Sequence, residues 1–330
     1  MINKYHKILA VVLVAQIALT AVVFWPRPST AGQRAPLFPD LDTEDVIGLT
    51  IENADGDAIE LAKVGGEWVL PEADQYPVKS DAVSEVLEKL TALTTGRLVA
   101  SNDTSHRRLQ VAEDDFVRRI AFETEEGRHE TLYLGSAPQY SSTHFRLEGQ
   151  SETYLTSELT SWDVSATASS WIDTSYQSIA QADVTRMTLE NENGTFVFDR
   201  QDEETWTMAD SSTDEEGAVS LGEDEILNQS QVRSVLSRAA SVTMKKPLGK
   251  QEQDAYGMDE PSAVVTLETA DETVTLRVGA KDADDASYVV KSSESDYYVH
   301  VATTSLTALV ENGRDAFIQV PTPQAESNDS

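Results

Sequence analysis

The chain has 330 residues, room for two domains of ordinary size, and 40% of them are hydrophobic, enough for packed cores, so wholesale disorder is excluded. Asp and Glu number 57 against 25 Lys and Arg, a net charge of −32 that repels a phosphate backbone and an anionic lipid surface, so nucleic acid is not an expected partner. The absence of cysteine excludes disulfides, thiolate chemistry and a lipidated N-terminal cysteine.

Residues 1–7 carry Lys4 and Lys7 and no acid. Ile8 to Trp25 then runs without a charge, with only Gln16 and Thr20 polar. At helical rise this segment spans about 27 Å, close to the hydrocarbon core of a bilayer. It predicts a transmembrane signal anchor over 8–25, and the preceding lysines place residues 1–7 in the cytoplasm and the body outside it. A cleaved signal peptide is the competing reading. It would have a shorter apolar core and a small-x-small site, whereas Pro26-Arg27-Pro28 follows here. Residues 26–43, rich in Pro, Ser, Thr, Gly and Ala, read as a spacer.

An internal repeat organises the rest. Val46-Ile47-Gly48-Leu49-Thr50-Ile51-Glu52-Asn53 aligns with Val184-Thr185-Arg186-Met187-Thr188-Leu189-Glu190-Asn191, Asp55-Gly56 with Asn193-Gly194 and Trp68 with Trp206, all at an offset of 138. Farther on the offset drifts to 149, which marks loop insertions. The expected domains are a first repeat over 44–175, a second over 182–320, and a disordered tail over 321–330.

The first repeat predicts a hairpin turning at Asp55-Gly56 and a strand at Glu67 to Leu70. A helix capped by Ser80-Asp81 follows, with Val83, Val86, Leu87, Leu90 and Leu93 at helical spacing. After a polar connection, strands are expected at Val117 to Thr124, Glu130 to Leu134, His144 to Leu147 and Thr153 to Leu155, then a short helix at Ser157 to Trp162. The second repeat predicts a hairpin at Asn193-Gly194, a strand at Thr205 to Met208, and a helix carrying Val232, Val235, Leu236 and Val242. Strands follow at Ala263 to Thr269, Thr273 to Val278, Ser287 to Lys291 and Tyr297 to Val301, and Thr304-Ser305-Leu306 opens a short helix. The acidic stretch Thr213 to Glu225 reads as a surface insertion. The expected fold class is α+β: an N-terminal transmembrane helix, then two tandem repeats, each a mostly antiparallel sheet with one main helix.

Motifs with a chemical mechanism are scarce. There is no Gly-rich phosphate loop, Gly-x-Ser-x-Gly elbow or His-Glu-x-x-His helix. His6, His106, His129, His144 and His300 show no metal-ligand spacing, and read as solvated or capping residues. Asn53 to Asp57 and Asp282 to Asp285 resemble fragments of calcium loops without the twelve-residue pattern and its terminal Glu. Trp68 and Trp206, equivalent in the two copies, read as core anchors rather than stacking platforms. No catalytic, cofactor-binding or metal-ligating residue is assigned.

The opening Met1 to Leu19, the strand Glu67-Trp68-Val69-Leu70 with the helix after it, and Tyr256-Gly257-Met258-Asp259-Glu260-Pro261 ahead of Val264 to Leu267 resemble the domain of unknown function 4340 family across essentially the whole chain. The first copy departs from the Tyr-Gly-x-x-x-Pro pattern with Leu109-Gln110-Val111-Ala112-Glu113-Asp114. The resemblance implies a single-pass protein of the bacterial inner membrane, encoded beside ABC-type export components similar to gliding-motility transporter auxiliaries. The function expected is a membrane-anchored, non-enzymatic, extracytoplasmic accessory subunit of an ABC-type transport complex, without cofactor, with a permease or auxiliary protein as partner. The alternative is a free-standing envelope binding module for glycan or peptide. A hydrolase would need a nucleophile, base and oxyanion site that nothing in the chain proposes.

Overall fold

The computed structural model describes residues 35–209, 219–222 and 224–319. The segment 8–25, the acidic residues 210–218 and 223, and the tail from Pro321 lie outside the described residues. The architecture is mostly antiparallel sheet with few helices. This corrects the expectation of a fold that opens with a transmembrane signal-anchor helix: among the described residues no helix is long and apolar enough to cross a membrane. Two compact units are distinguished. Among the described residues, one comprises 35–46 with Asn53–Asp55 and Ser84–Val164, the other Ile47–Glu52, Gly56–Val83 and the residues from Ser165 to Gln319. Compactness thus groups 56–83 with the C-terminal half, whereas the boundaries 44–175 and 182–320 follow sequence similarity.

Alternating burial builds the first strands. β1 (Val46–Asn53) turns into β2 (Ala58–Val64), with Leu49 opposite Leu61 and Ile51 opposite Ile59, all buried. β3 (Glu67–Leu70) buries Trp68, and β4 (Tyr76–Pro77) pairs with it. Helix α1 (Ser80–Thr91) buries Val83, Val86, Leu87 and Leu90 at the predicted spacing, with Leu93 buried just beyond. The connection after it holds structure that its polar sequence did not announce: β5 (Leu98–Ala100), a four-residue helix α2 (His106–Leu109), and the small pair β6 (Val111–Ala112) and β7 (Asp115–Phe116). β8 (Arg118–Thr124), β9 (His129–Leu134), β10 (Thr143–Leu147) and β11 (Thr153–Thr156) form a meander that β5 extends beyond β11.

Two local expectations fail in this half. Residues 35–43 are not a free spacer: Leu37 N–H bonds the Leu93 carbonyl, and Phe38 is buried edge-on against Phe122 at 5.3 Å. Ser157 to Trp162 forms turns instead of a helix. The Asp163 carboxylate accepts both the Thr160 N–H and its hydroxyl at 2.7 Å, so side-chain bonds take the backbone group a helix would use.

β12 (Ser175–Ser178) leads into the second half. β13 (Arg186–Asn191) and β14 (Gly194–Arg200) pair from Asn191 opposite Gly194, so the loop is Glu192-Asn193, one residue earlier than expected and tighter than the first hairpin. β15 (Trp206–Met208) and β16 (Ile226–Leu227) precede α3 (Gln229–Ala240), whose N-cap Asn228 side chain accepts the Gln231 N–H. Gln229 clamps the fully buried Trp206, accepting its N–H at 2.9 Å and donating to its carbonyl at 2.8 Å. The helix ends at Ala240, and Val242, expected on it, lies in β17 (Ser241–Thr243), which pairs with β12. β18 (Lys246–Gly249), β19 (Ala263–Glu268), β20 (Thr273–Asp282), β21 (Ser287–Ser292) and β22 (Tyr298–Ala302) follow. The eight-stranded sheet has the order β15-β14-β13-β19-β20-β21-β22-β18, which leaves β18 at its edge. Helix α4 (Thr303–Glu311) and β23 (Ile318–Gln319), paired with β16, close the described chain.

One device recurs in both halves. Helix α2 ends on Gln110 at φ 54°, and the 3-10 turn Asp254–Tyr256 ends on Gly257 at φ 64°. The carbonyl just before each left-handed residue lies against a glycine, where a Cβ would stand 2.1 Å away: Leu109 over Gly135, Tyr256 over Gly279. The carbonyl just after it accepts from a sheet arginine: Val111 from Arg146 Nε at 2.7 Å, Met258 from Arg277. Left-handed backbone costs a side chain about 1 kcal/mol, so Gln110→Gly is expected to raise the unfolding free energy by up to ~1 kcal/mol. Gly135→Ala and Gly279→Ala are each expected to lower it by roughly 3 kcal/mol or more, since the clash is with backbone. Urea midpoints at unchanged m-value check all three.

Candidate functional site

Lys245, Lys246 and Lys250 fall within six residues of a strongly acidic chain. Lys245 Nζ donates to Asp285 Oδ1 at 2.7 Å. The other carboxylate oxygen accepts the Ser287 hydroxyl at 3.0 Å and meets His300 Nδ1 at 2.8 Å. His300 is buried on β22, and its Nε2 faces Asp282 at 3.9 Å. Asp282 in turn accepts the backbone N–H groups of Asp284 and Asp285, which folds the 282–285 loop into a side-chain-capped turn. Burial alone would raise the Asp285 pKa, but the bonds from Lys245, His300 and Ser287 outweigh it and hold the group at about 2. Burial lowers the His300 pKa, against the opposing pull of Asp285.

Lys245 and Asp285 also line a groove of about 630 Å³ in the second unit. Its apolar lining includes Ile59, Leu70, Ala73, Pro247 and Leu248, and its charged lining adds Asp57, Glu60, Glu72 and Lys246. The side chains of Glu60, Glu72 and Lys246 make no ion pair among the described residues. Beside Ala73 the backbone is strained: Asp74 and Gln75 are consecutive non-glycine residues at φ 51° and 62°. Surrounding bonds hold them there. Asp74 Oδ2 accepts the Lys250 N–H at 2.6 Å, its carbonyl accepts the Tyr297 hydroxyl at 3.4 Å, and the Tyr76 ring packs edge-on against Tyr297. Gly249 admits the carboxylate, because a Cβ there would lie 2.7 Å from Asp74 Oδ2.

The sequence model of the domain of unknown function (DUF4340) matches residues 68–221 and 222–319. The chain belongs to the DUF4340 family. The first matched residue is the buried Trp68, and the seam at 221/222 falls inside the acidic stretch Thr213 to Glu225. No curated protein and no solved structure matches the chain.

Within this DUF4340 chain the structure brings two of the residue sets singled out in sequence, His300 and Asp282 to Asp285, into one cluster. The others stay apart. His106 bonds the Ser151 carbonyl at 3.0 Å, His144 is buried against Ser136, and His129 faces Glu123 at 3.6 Å, while His6 lies outside the described residues. Asp55 N–H bonds the Asn53 side chain at 2.9 Å, so that acidic cluster is turn chemistry. Among the described residues no group of three His, Cys, Asp or Glu is arranged to hold a metal. Trp68 and Trp206 are buried in the core. Sequence reasoning passed over Lys245 and Lys246. The available signal was three lysines in the run Lys-Lys-Pro-Leu-Gly-Lys within a chain short of cations.

The network fixes the acid response. His300 is harder to protonate folded than unfolded, so stability falls as pH drops below its ordinary value of 6.5. Asp285 has its pKa lowered, so its contribution is present above about 3.8 and is lost as pH falls toward 2. Asp285→Asn is expected to cost roughly 2 kcal/mol at neutral pH, from charge-assisted bonds at a partly exposed site. It should also remove the lower of the two acid steps when unfolding free energy is measured against pH.

Proposed function

We propose that the chain is a non-catalytic accessory subunit of an ABC-type transport complex, acting outside the cytoplasm by contact with a permease or another auxiliary protein. The observation that carries this reading is the order of bonding at the Asp285 cluster. A hydrolytic relay runs nucleophile to base to carboxylate, whereas here the carboxylate sits in the middle, bonded to Ser287 on one side and His300 on the other. Ser287 is fully buried, so its hydroxyl faces no substrate. The cluster thus acts as a bracket for the groove wall, which suits a part that holds rather than converts. The chain carries no phosphate loop, so ATP hydrolysis falls to a partner, and the family resemblance points to ABC export components as that partner.

A second reading, a free-standing envelope binding module for glycan or peptide, is favoured by the groove itself, whose volume lies in the range of small-ligand sites. Affinity purification of the full-length protein in several mild detergents, with mass spectrometry of what accompanies it, separates the two. Co-purification of a permease and its ATPase is expected. Recovery of the protein alone in every detergent would overturn the accessory reading and leave the binding module.

A further inference from the structure

We infer that the groove lined by β2, the turn Pro71–Ala73 and the edge strand β18 is a recognition site for a short extended peptide that carries both a cationic and an anionic group. The inference rests on the groove alone and goes beyond the question of a transporter partner.

Four observations converge on it. The first is charge. Lys246 is exposed and makes no ion pair among the described residues, in a chain with 32 more negative than positive charges. Its charge acts on Asp285 and His300 at longer range, but no carboxylate among the described residues lies within ion-pair distance of it. Its neighbour Lys245 is already bonded to Asp285, which leaves Lys246 as the cation offered to a ligand. The second is the opposing sign on the same rim. Glu60 on β2 and Glu72 in the turn are likewise without ion pairs, so a purely anionic occupant would meet repulsion at one wall and a purely cationic one at the other. A molecule with both signs satisfies both walls.

The third is the lining between them. Ile59, Leu70, Ala73, Pro247 and Leu248 are aliphatic, and no aromatic ring lines the groove. Sugar rings are commonly held by stacking on aromatic faces, and this lining offers none. Aliphatic side chains of a peptide fit this lining without such a platform. The fourth is backbone strain at Asp74 and Gln75, next to the groove. Two successive left-handed residues without glycine persist only where the surroundings enforce them, and such strain concentrates where a surface must be held in a fixed shape for a ligand. The bonds from Lys250 and Tyr297 and the close fit at Gly249 supply that enforcement, so the turn that carries Glu72 is preorganised.

The test uses the purified full-length protein and capped tetrapeptides. Acetyl-Lys-Leu-Ala-Glu-amide and its reversed order Glu-Ala-Leu-Lys are titrated by calorimetry, beside Lys-Leu-Ala-Lys, Glu-Leu-Ala-Glu and a tetramer of N-acetylglucosamine. One of the two mixed-charge peptides is expected to bind with a Kd below about 1 mM and at least about tenfold more tightly than either single-sign peptide or the sugar. Lys246→Glu, a change at an exposed side chain, is expected to weaken that peptide by about tenfold or more, and to make Lys-Leu-Ala-Lys bind better than it does to the unaltered protein. Equal binding of all probes, no binding of either mixed-charge peptide, tighter binding of the sugar, or indifference to Lys246→Glu would each overturn the inference. Co-purification of a transporter with the Lys246→Glu protein bears on the accessory reading and leaves the groove result to be judged separately.

Discussion

Close backbone approach at two glycines is the constraint on which each half depends. In the first, the Leu109 carbonyl rests on Gly135; in the second, the Tyr256 carbonyl rests on Gly279. Because those positions lack a Cβ, a left-handed turn can lie flat against the sheet, and the residues flanking it complete a small buried cluster: Leu109, Val111 and Tyr133 in one copy, Tyr256, Met258, Val289 and Tyr298 in the other. The same arrangement orders a cation in each, buried in the first and half-buried in the second. Arg146 lies over the Tyr133 ring at 4.7 Å and donates to the carbonyls of Leu147 and Gln150. Lys291 lies over the Tyr298 ring at 5.6 Å and donates to the carbonyls of Ser292 and Ser295. Each tyrosine hydroxyl donates to a glutamate, Glu148 or Glu252, and burial together with that bond pushes both phenols up to about 12, so they remain donors at any physiological pH.

Those pairings explain where the few positive charges of an acidic protein go. Arg146 and Lys291 satisfy carbonyls inside the two halves, Lys245 brackets Asp285, and Lys89 bridges Glu85 and Asp163. A cation left over against such a background is conspicuous in a way it would not be on a neutral surface. Lys246 stands out for that reason, and its backbone lies on a strand at the sheet edge, beside a strained turn.

Much of the fold was legible in the sequence wherever a periodicity extended over several residues. The alternation in β1, β2, β19 and β20 and the helical spacing of Val83, Val86, Leu87 and Leu90 were read correctly, because one face of each element is buried and composition reports that directly. Two- to four-residue strands such as β5, β6 and β18 were not, since elements that short carry no period and owe their pairing to distant partners. The helix expected at Ser157 to Trp162 failed because Asp163 captures the Thr160 amide, a competition composition alone does not rank. Val242 keeps helical spacing with Val235, yet the segment 241–243 pairs with β12, where tertiary contact overrides local preference. The groove was harder still. Its lining comes from segments more than a hundred residues apart, and of its charged residues only Asp57 and Asp285 had drawn notice, both as fragments of calcium loops.

The second hairpin has a consequence for chemical ageing. An Asn-Gly step in a free chain is perishable: the glycine nitrogen attacks the asparagine amide, ammonia leaves, and water opens the resulting succinimide to aspartate or its iso form. At Asn193-Gly194 the groups that would close the ring are held by bonds that the closure would have to break. Gly194 is paired with Asn191 in the ladder, the Asn193 backbone N–H bonds the Asn191 side chain at 2.8 Å, and the Asn193 amide donates to the Glu311 carbonyl at 3.2 Å. Asn191 donates in the same way to the carbonyls of Leu309 and Asn312 at the end of α4. The hairpin therefore keeps its own most labile residue intact by docking it on a helix terminus. Loss of ammonia at that step would record how often the hairpin has come away from the helix, a slow internal clock of local opening.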